Sequence, residues 1–167
     1  MIMNHEESRL QQQCVAWFRA QYPQYAMLLT HPINEGSGHS TTDRRRQGIH
    51  KAEGAVAGVP DLILFMPSVY SDSEGKNGLV CHGLGIEMKT KDGRLSQSQK
   101  NYQKMLEAAW YKYVVVRSLE DFRDIVNGYI ARSSVFTRQS IAAAHAEITK
   151  AAEQREKEKF YKVIGKK

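Results

Sequence analysis

Between residues 5 and 21, Leu10, Cys14 and Phe18 recur at four-residue steps. That spacing predicts a helix with one apolar face. Glu7 and Gln11 fall on the same face by the helical repeat. Pro23 ends the pattern, and the short apolar run Ala26 to Thr30 predicts a strand. Residues 31–42 are turn-rich, and Thr42 or Asp43 then caps a predicted helix to about Gly54, with Gly48 as a weak point. Next comes Gly58-Val59-Pro60-Asp61. Proline holds Val59 extended, so a strand opens with Asp61 at its mouth and continues through Leu62 to Met66. Residues 67–78 read as a polar connection, and Leu79 to Lys89 as one strand bent around Gly83 and Gly85. Leu84, Ile86 and Met88 point to one side of it, and Glu87 and Lys89 to the other. After the turn Lys91-Asp92-Gly93, Ser96 caps a helix over 97–110 with Tyr102, Met105, Leu106 and Ala109 as its inner stripe. Tyr111 to Val116 is a β-branched strand. Ser118 and Asp121 start a helix through Ile130 that turns Phe122, Ile125, Val126 and Tyr129 inward.

The order is helix, strand, a short helix, two strands, helix, strand, helix. It predicts an α/β sandwich around a small mixed sheet, with a parallel strand–helix–strand crossover over 84–116. Beyond residue 132 the chain becomes rich in Ala, Glu and Lys, and 139–162 reads as one long, mostly solvated helix. We therefore expect a domain over 1–131 and a basic helical extension over 132–167. An apolar fraction of 41% in 167 residues supplies the core of one domain. No apolar run is long enough to span a membrane, and the start is polar, so neither insertion nor export is expected. Two cysteines, Cys14 and Cys81, make no disulfide framework, which fits a reducing, cytoplasmic setting.

The net charge is +6, and it is uneven. Residues 131–167 hold nine Lys and Arg against four Glu, so the extension carries +5 of the excess. A basic balance favours a polyanionic partner.

The chemistry concentrates at Asp61 and at Glu87-Met88-Lys89. Two-residue spacing places the Glu87 and Lys89 side chains on one sheet face. If the two strands are neighbours, Asp61 meets Glu87 there. Converging carboxylates repel one another, and a hard divalent cation relieves this by taking both as oxygen ligands. Such a cation acidifies a water and neutralises a phosphate oxygen, with Lys89 beside it to orient the water or stabilise developing charge. Each part alone has a plainer reading: Glu-x-Lys as a solvated strand face, Pro-Asp as a turn. Glu7 also has two readings, since an acid in a first helical turn is favoured by the helix dipole alone.

Several stretches together resemble the VRR-NUC branch of the PD-(D/E)xK nuclease superfamily. They are Glu7-Ser-Arg-Leu-Gln11, His31-Pro-Ile-Asn34, Lys51-Ala-Glu-Gly54, Gly58-Val-Pro-Asp-Leu62, Gly85-Ile-Glu-Met-Lys89 and Leu95-Ser-Gln-Ser-Gln99. The resemblance covers residues 5–130 and implies a restriction-endonuclease-like αβββαβ core, a mixed central sheet flanked by helices. It implies Mg²⁺ or Mn²⁺ held by Asp61, Glu87 and the Met88 carbonyl oxygen, with Lys89 as the catalytic lysine. It also makes Glu7 an accessory acid near the metal, and Gln99 a polar residue beside the scissile phosphate. Gln99 lies three residues after Ser96, so a capping box accounts for it equally well. The chain departs from the family at Ala109-Trp110, where a glycine is often found.

Arg44, Arg45, Arg46 and Lys51 form a basic cluster before the Asp61 strand, and Lys91 follows the Glu-x-Lys strand. These are the candidate DNA contacts. Three successive helical residues fan over about 200°, so the arginines do not all face one surface. Each phosphate contact steepens the salt dependence of binding by about 0.9. His31 and Asn34 fit either the mouth of the site or a loop-stabilising role. No helix-turn-helix or zinc finger is legible, so cleavage directed by DNA structure (a junction, flap or nick, in repair, recombination or phage DNA processing) is expected. The extension suits a phosphate-tracking arm, a homodimer contact through Ile141, His145, Ile148 and Ala152, or a solvated tail. The leading reading is a metal-dependent DNA endonuclease. The alternatives are a nucleic-acid-binding module that does not cut, and a partner-recruiting subunit of a DNA-processing complex.

Overall fold

The computed structural model describes residues 5–32, 52–71 and 78–164. Helix α1 spans His5–Gln21 and buries Cys14 and Phe18, as the apolar spacing predicts. Pro23 does more than end it. Its fixed φ suits the first position of a helical turn, and a 3₁₀ helix runs Pro23–Leu28. Tyr25 enters the core from that helix, and the strand expected over 26–30 shortens to β1, Leu29–Thr30.

The remaining elements are β2 (Leu62–Leu64), β3 (Ser68–Ser71), β4 (Gly78–Cys81), β5 (Gly83–Met88), α2 (Gln97–Ala108), β6 (Tyr111–Val116), α3 (Leu119–Ala131) and α4 (Val135–Ile164). The central sheet has the order β1-β2-β5-β6. Strands β1/β2 and β2/β5 pair antiparallel, while β5/β6 pair parallel through α2, so the sheet is mixed as expected. The helix expected over 42–54 falls mostly outside the described residues.

Two expectations are corrected here. The stretch 67–78 is not simply a connection, because Ser68–Ser71 pairs with Gly78–Cys81 in a separate two-stranded ribbon. Its first strand is tied to the end of α3 and the turn after it. Ser68 Oγ donates to the Tyr129 carbonyl at 2.7 Å, and Ser133 Oγ donates to the Pro67 carbonyl at 2.8 Å. The stretch 79–89 is likewise two strands in two sheets. The break is at His82, whose backbone N–H donates to the Trp110 carbonyl at 2.7 Å.

The two faces of the central sheet differ. Leu62 and Leu64 of β2 join Leu84, Ile86 and Met88 of β5 on one face, with Cys14 and Phe18 of α1 and Phe122 and Val126 of α3 against them. The opposite face carries Gly83, Gly85 and Glu87 and meets α2. A side chain at Gly85 would meet Leu106 Cδ1 of α2 at 3.0 Å, so the missing Cβ lets the helix sit close. That contact also corrects the inner stripe of α2: Tyr102 and Leu106 are partly buried, whereas Met105 is 71% exposed and Ala109 faces solvent. At the end of α2, Trp110 adopts φ 62°, the left-handed conformation that the expected glycine would adopt without strain. Helix α4 starts at Val135, earlier than expected. It packs Ile141 against the core and leaves every residue from Ala146 to Lys162 exposed.

The Gly-Val-Pro-Asp stretch is held against α2 by its glycine. Gly58 has φ +90°, and a Cβ there would lie 2.4 Å from the Ser98 carbonyl oxygen. Gly54 has a similar φ, +100°, with nothing within 4 Å of a built Cβ. The pair separates backbone strain from collision. Gly54→Ala is expected to cost about 1–2 kcal/mol of unfolding free energy, the left-handed penalty alone. Gly58→Ala is expected to cost clearly more, because the start of α2 must also move. Urea denaturation of both variants checks this; equal losses would mean that the contact with Ser98 contributes nothing.

Candidate active site

The β2/β5 register pairs Leu62 with Ile86, so one step outward Asp61 stands opposite Glu87. Here the ladder departs from a regular sheet. The Met88 N–H donates to the Asp61 carboxylate at Oδ2, at 2.7 Å. The acid is thereby fixed to the strand that carries the other acid. Glu87 is only 1% exposed. Burial first, and then the charge of Asp61, push its pKa up to about 7, against the pull of Lys89 and Tyr113. Asp61 is also raised, chiefly by burial, with the Met88 N–H and the Lys89 charge opposing. Two carboxylates therefore meet in a place where water does not compensate them.

Lys89, 3% exposed, supplies the nearest compensation. Its Nζ donates to Glu87 Oε1 at 2.6 Å and to the Met88 carbonyl oxygen at 3.1 Å. An ammonium thus touches two of the three oxygen ligands that the sequence resemblance implies, so those atoms already converge on a single positive charge. Oxygen donors from two carboxylates and a carbonyl are the set that Mg²⁺ and Mn²⁺ prefer. No group of three or more His, Cys, Asp or Glu side chains forms a metal cluster among the described residues. The residues fit a cation held by two acids and a carbonyl, with its remaining ligands from solvent or substrate.

The two readings of Gln99 coexist. Its Oε1 accepts the Ser96 N–H at 2.9 Å and Ser96 Oγ accepts the Gln99 N–H at 3.3 Å, which completes a capping box at the start of α2. Its Nε2 donates to Glu87 Oε1. The cap orients the amide, and the amide orients the acid. Sequence reasoning missed Tyr113, whose hydroxyl donates to Glu87 Oε2 at 3.2 Å. A signal was available: in β6, Tyr113 sits level with Gly85, on the face that Glu87 shares.

Glu7 reaches the same region from α1. Its Oε1 accepts the Thr90 N–H at 3.2 Å, and its charge raises the pKa of Asp61. The turn after Lys89 is held from the other side by Arg117, whose guanidinium donates to the Thr90 and Lys91 carbonyls. Arg117 carried no sequence signal, since it is merely the residue after a strand. Glu6, Glu7, Leu10, Lys89, Thr90, Lys91 and Arg117 surround an open cavity of about 180 Å³. Lys91 thus lines the same cavity as Glu7 and Lys89. Arg44, Arg45, Arg46 and Lys51, like Asn34, lie outside the described residues. Among the described residues, no helix is long and apolar enough to cross a membrane.

Comparison with known proteins identifies the fold and the family. The family description "VRR-NUC domain" matches residues 3–120. A solved structure described as a VRR_NUC domain protein superposes with a TM-score of 0.59 at 21% identity, over 77% of this chain and 90% of that one, a likeness of fold. A search of curated proteins finds no match. With most of its length covered by the family's pattern, and with two acids and a lysine meeting at adjoining strands, the chain belongs to the VRR-NUC family of nuclease-type domains.

Proposed function

We propose that this protein is a Mg²⁺- or Mn²⁺-dependent DNA endonuclease that hydrolyses phosphodiester bonds. The observation that carries the reading is the run of hydrogen bonds that ties Asp61 to the Met88 N–H, and Lys89 to Glu87 and the Met88 carbonyl, at the adjoining ends of β2 and β5. Asp61, Glu87 and the Met88 carbonyl would hold the cation. Bound there, it would supply an acidified water and offset charge on the phosphate. The chain's own side chains do the rest. Lys89, directly after β5, orients the attacking water or donates a hydrogen bond to a phosphate oxygen as negative charge develops there. Gln99 and Tyr113 hold Glu87 by both oxygens, so the acid does not rotate as charge develops. Glu7 and Arg117 fix the turn that follows Lys89.

Lys91 and Arg117 flank the cavity and suit the sugar–phosphate backbone. Cations of this kind position a duplex without reading its bases. The proposed substrate is therefore DNA with a junction, flap or nick, cut by structure. The basic segment over 132–167 is proposed as an extension of the nuclease domain that adds phosphate contacts.

Incubating the protein with duplex, nicked, flapped and four-way-junction DNA is expected to give cleavage with Mg²⁺ or Mn²⁺ and none with chelator. Lys89→Ala is expected to lose about 100-fold or more in rate, the scale of removing one preorganised stabilising donor. Its binding to the same DNA in chelator should stay close to that of the parent. Cutting at the parent's rate would remove Lys89 from the chemistry. Cleavage confined to a single short sequence on many unrelated duplexes would reject structure-directed recognition.

The ionisation of Glu87 gives a second test that needs no substrate. Its pKa rises on folding from 4.5 to about 7, so the folded state holds the proton more tightly. The associated stability is present below about pH 4.5 and is lost as pH rises through about 7. In chelator, the unfolding free energy of the parent should fall relative to that of Glu87→Gln between those values, and the difference should level off above them. A difference that is flat with pH would mean that Glu87 is ionised throughout.

A further inference from the structure

We infer that His31 is a positioning residue for Asp61, supplying a hydrogen bond that the backbone is unable to make. The inference rests on the nuclease reading for its consequence, but not for its geometry.

Strands β1 and β2 pair Leu29 with Leu64 and Thr30 with Ile63. One step before them, the Phe65 N–H donates to the Leu28 carbonyl at 2.9 Å, so residues 28 and 65 form a hydrogen-bonded pair. Such pairs alternate along an antiparallel ladder. The next are 30 with 63, and then 32 with 61. Residue 32 is proline and has no N–H to give. The ladder therefore runs out of donors at the Asp61 carbonyl.

The imidazole of the preceding residue fills the gap. His31 Nδ1 lies 2.6 Å from the Asp61 carbonyl oxygen. A carbonyl only accepts, so Nδ1 carries a proton in this contact. The structure places the amide nitrogen of Gln11, Nε2, at 3.1 Å from the same ring nitrogen. With Nδ1 donating, that amide presents its oxygen by a half-turn of its plane. Asp61 is then held at both ends: its carbonyl by the ring of His31, its carboxylate by the Met88 N–H. If the ring is lost, the peptide after Asp61 is free to rotate, and the carboxylate swings with it. Gln11 and Glu7 stand one helical turn apart on α1, so this helix steadies both strands of the site, one through His31 and the other through Thr90.

Replacing the ring with amides that mimic one nitrogen or the other tests the claim. Asparagine places a donor near the Nδ1 position, and glutamine near the Nε2 position. Mn²⁺ affinity is read by the electron paramagnetic resonance of free Mn²⁺, and DNA cleavage and melting temperature are measured on the same variants. His31→Ala and His31→Gln are expected to weaken Mn²⁺ binding and cleavage about 10- to 100-fold, the usual cost of removing a support behind a metal ligand, with His31→Asn within about 3-fold of the parent. Three equal and unchanged variants would overturn the inference, as would three equal losses, or retention by Gln with loss in Asn. The tautomer is read separately, by long-range ¹H–¹⁵N correlation of the histidine rings at pH 8 without metal or DNA, with His31→Asn identifying the signal. A proton on Nδ1 is expected, and a proton on Nε2 alone contradicts the proposal. Because this measurement needs no cleavage, it stands even if the protein proves to cut nothing.

Discussion

One hydrogen bond organises the site: the Met88 N–H to the carboxylate of Asp61, made across two strands in place of a ladder contact. It draws an acid from the mouth of β2 onto the strand that carries Glu87. Burial raises the pKa of both acids, and the charge of Asp61 adds to the cost of ionising Glu87. Such an arrangement persists only if positive charge is brought to it. Lys89 brings one charge from within the chain. A divalent cation would bring a second, and with it the capacity to act on a phosphate.

The rest of the fold keeps that contact in register. Gly58 adopts a left-handed φ and packs on the Ser98 carbonyl, which fixes the approach of Pro60-Asp61 to the first turn of α2. The same turn carries Gln99, whose amide caps the helix and holds Glu87. Supports of this kind are local and stiff, because they use backbone groups and short side chains. Among the described residues, the site is assembled from strand ends and a helix start.

Much of this was legible in the residues. Pro60 before Asp61 announced the mouth of a strand, and Glu87-x-Lys89 announced two polar side chains on one face. The β-branched run 111–116 matched β6 residue for residue. The failures have physical causes. Ser68 and Tyr70 are polar enough to read as loop, yet they form a ribbon, because Ser68 finds a buried acceptor in the Tyr129 carbonyl that no local pattern reveals. Leu79 to Lys89 looked continuous because the change of sheet at His82 depends on a bond to Trp110, distant in sequence. Met105 read as core by its helical position, but α2 leans on Gly85 through Leu106 and turns Met105 outward. Helical spacing names a face to within one position, and tertiary packing chooses among neighbours. Arg117 and Tyr113 acquire their roles only from register.

The central claim is that Asp61 and Glu87 grip one divalent ion together. Crystals grown with Mn²⁺ and measured at a wavelength where manganese scatters anomalously test it most directly. The expected result is a single anomalous peak within coordination distance of both carboxylates and the Met88 carbonyl oxygen. No peak at that point, or a peak that engages only one of the two acids, would contradict the account.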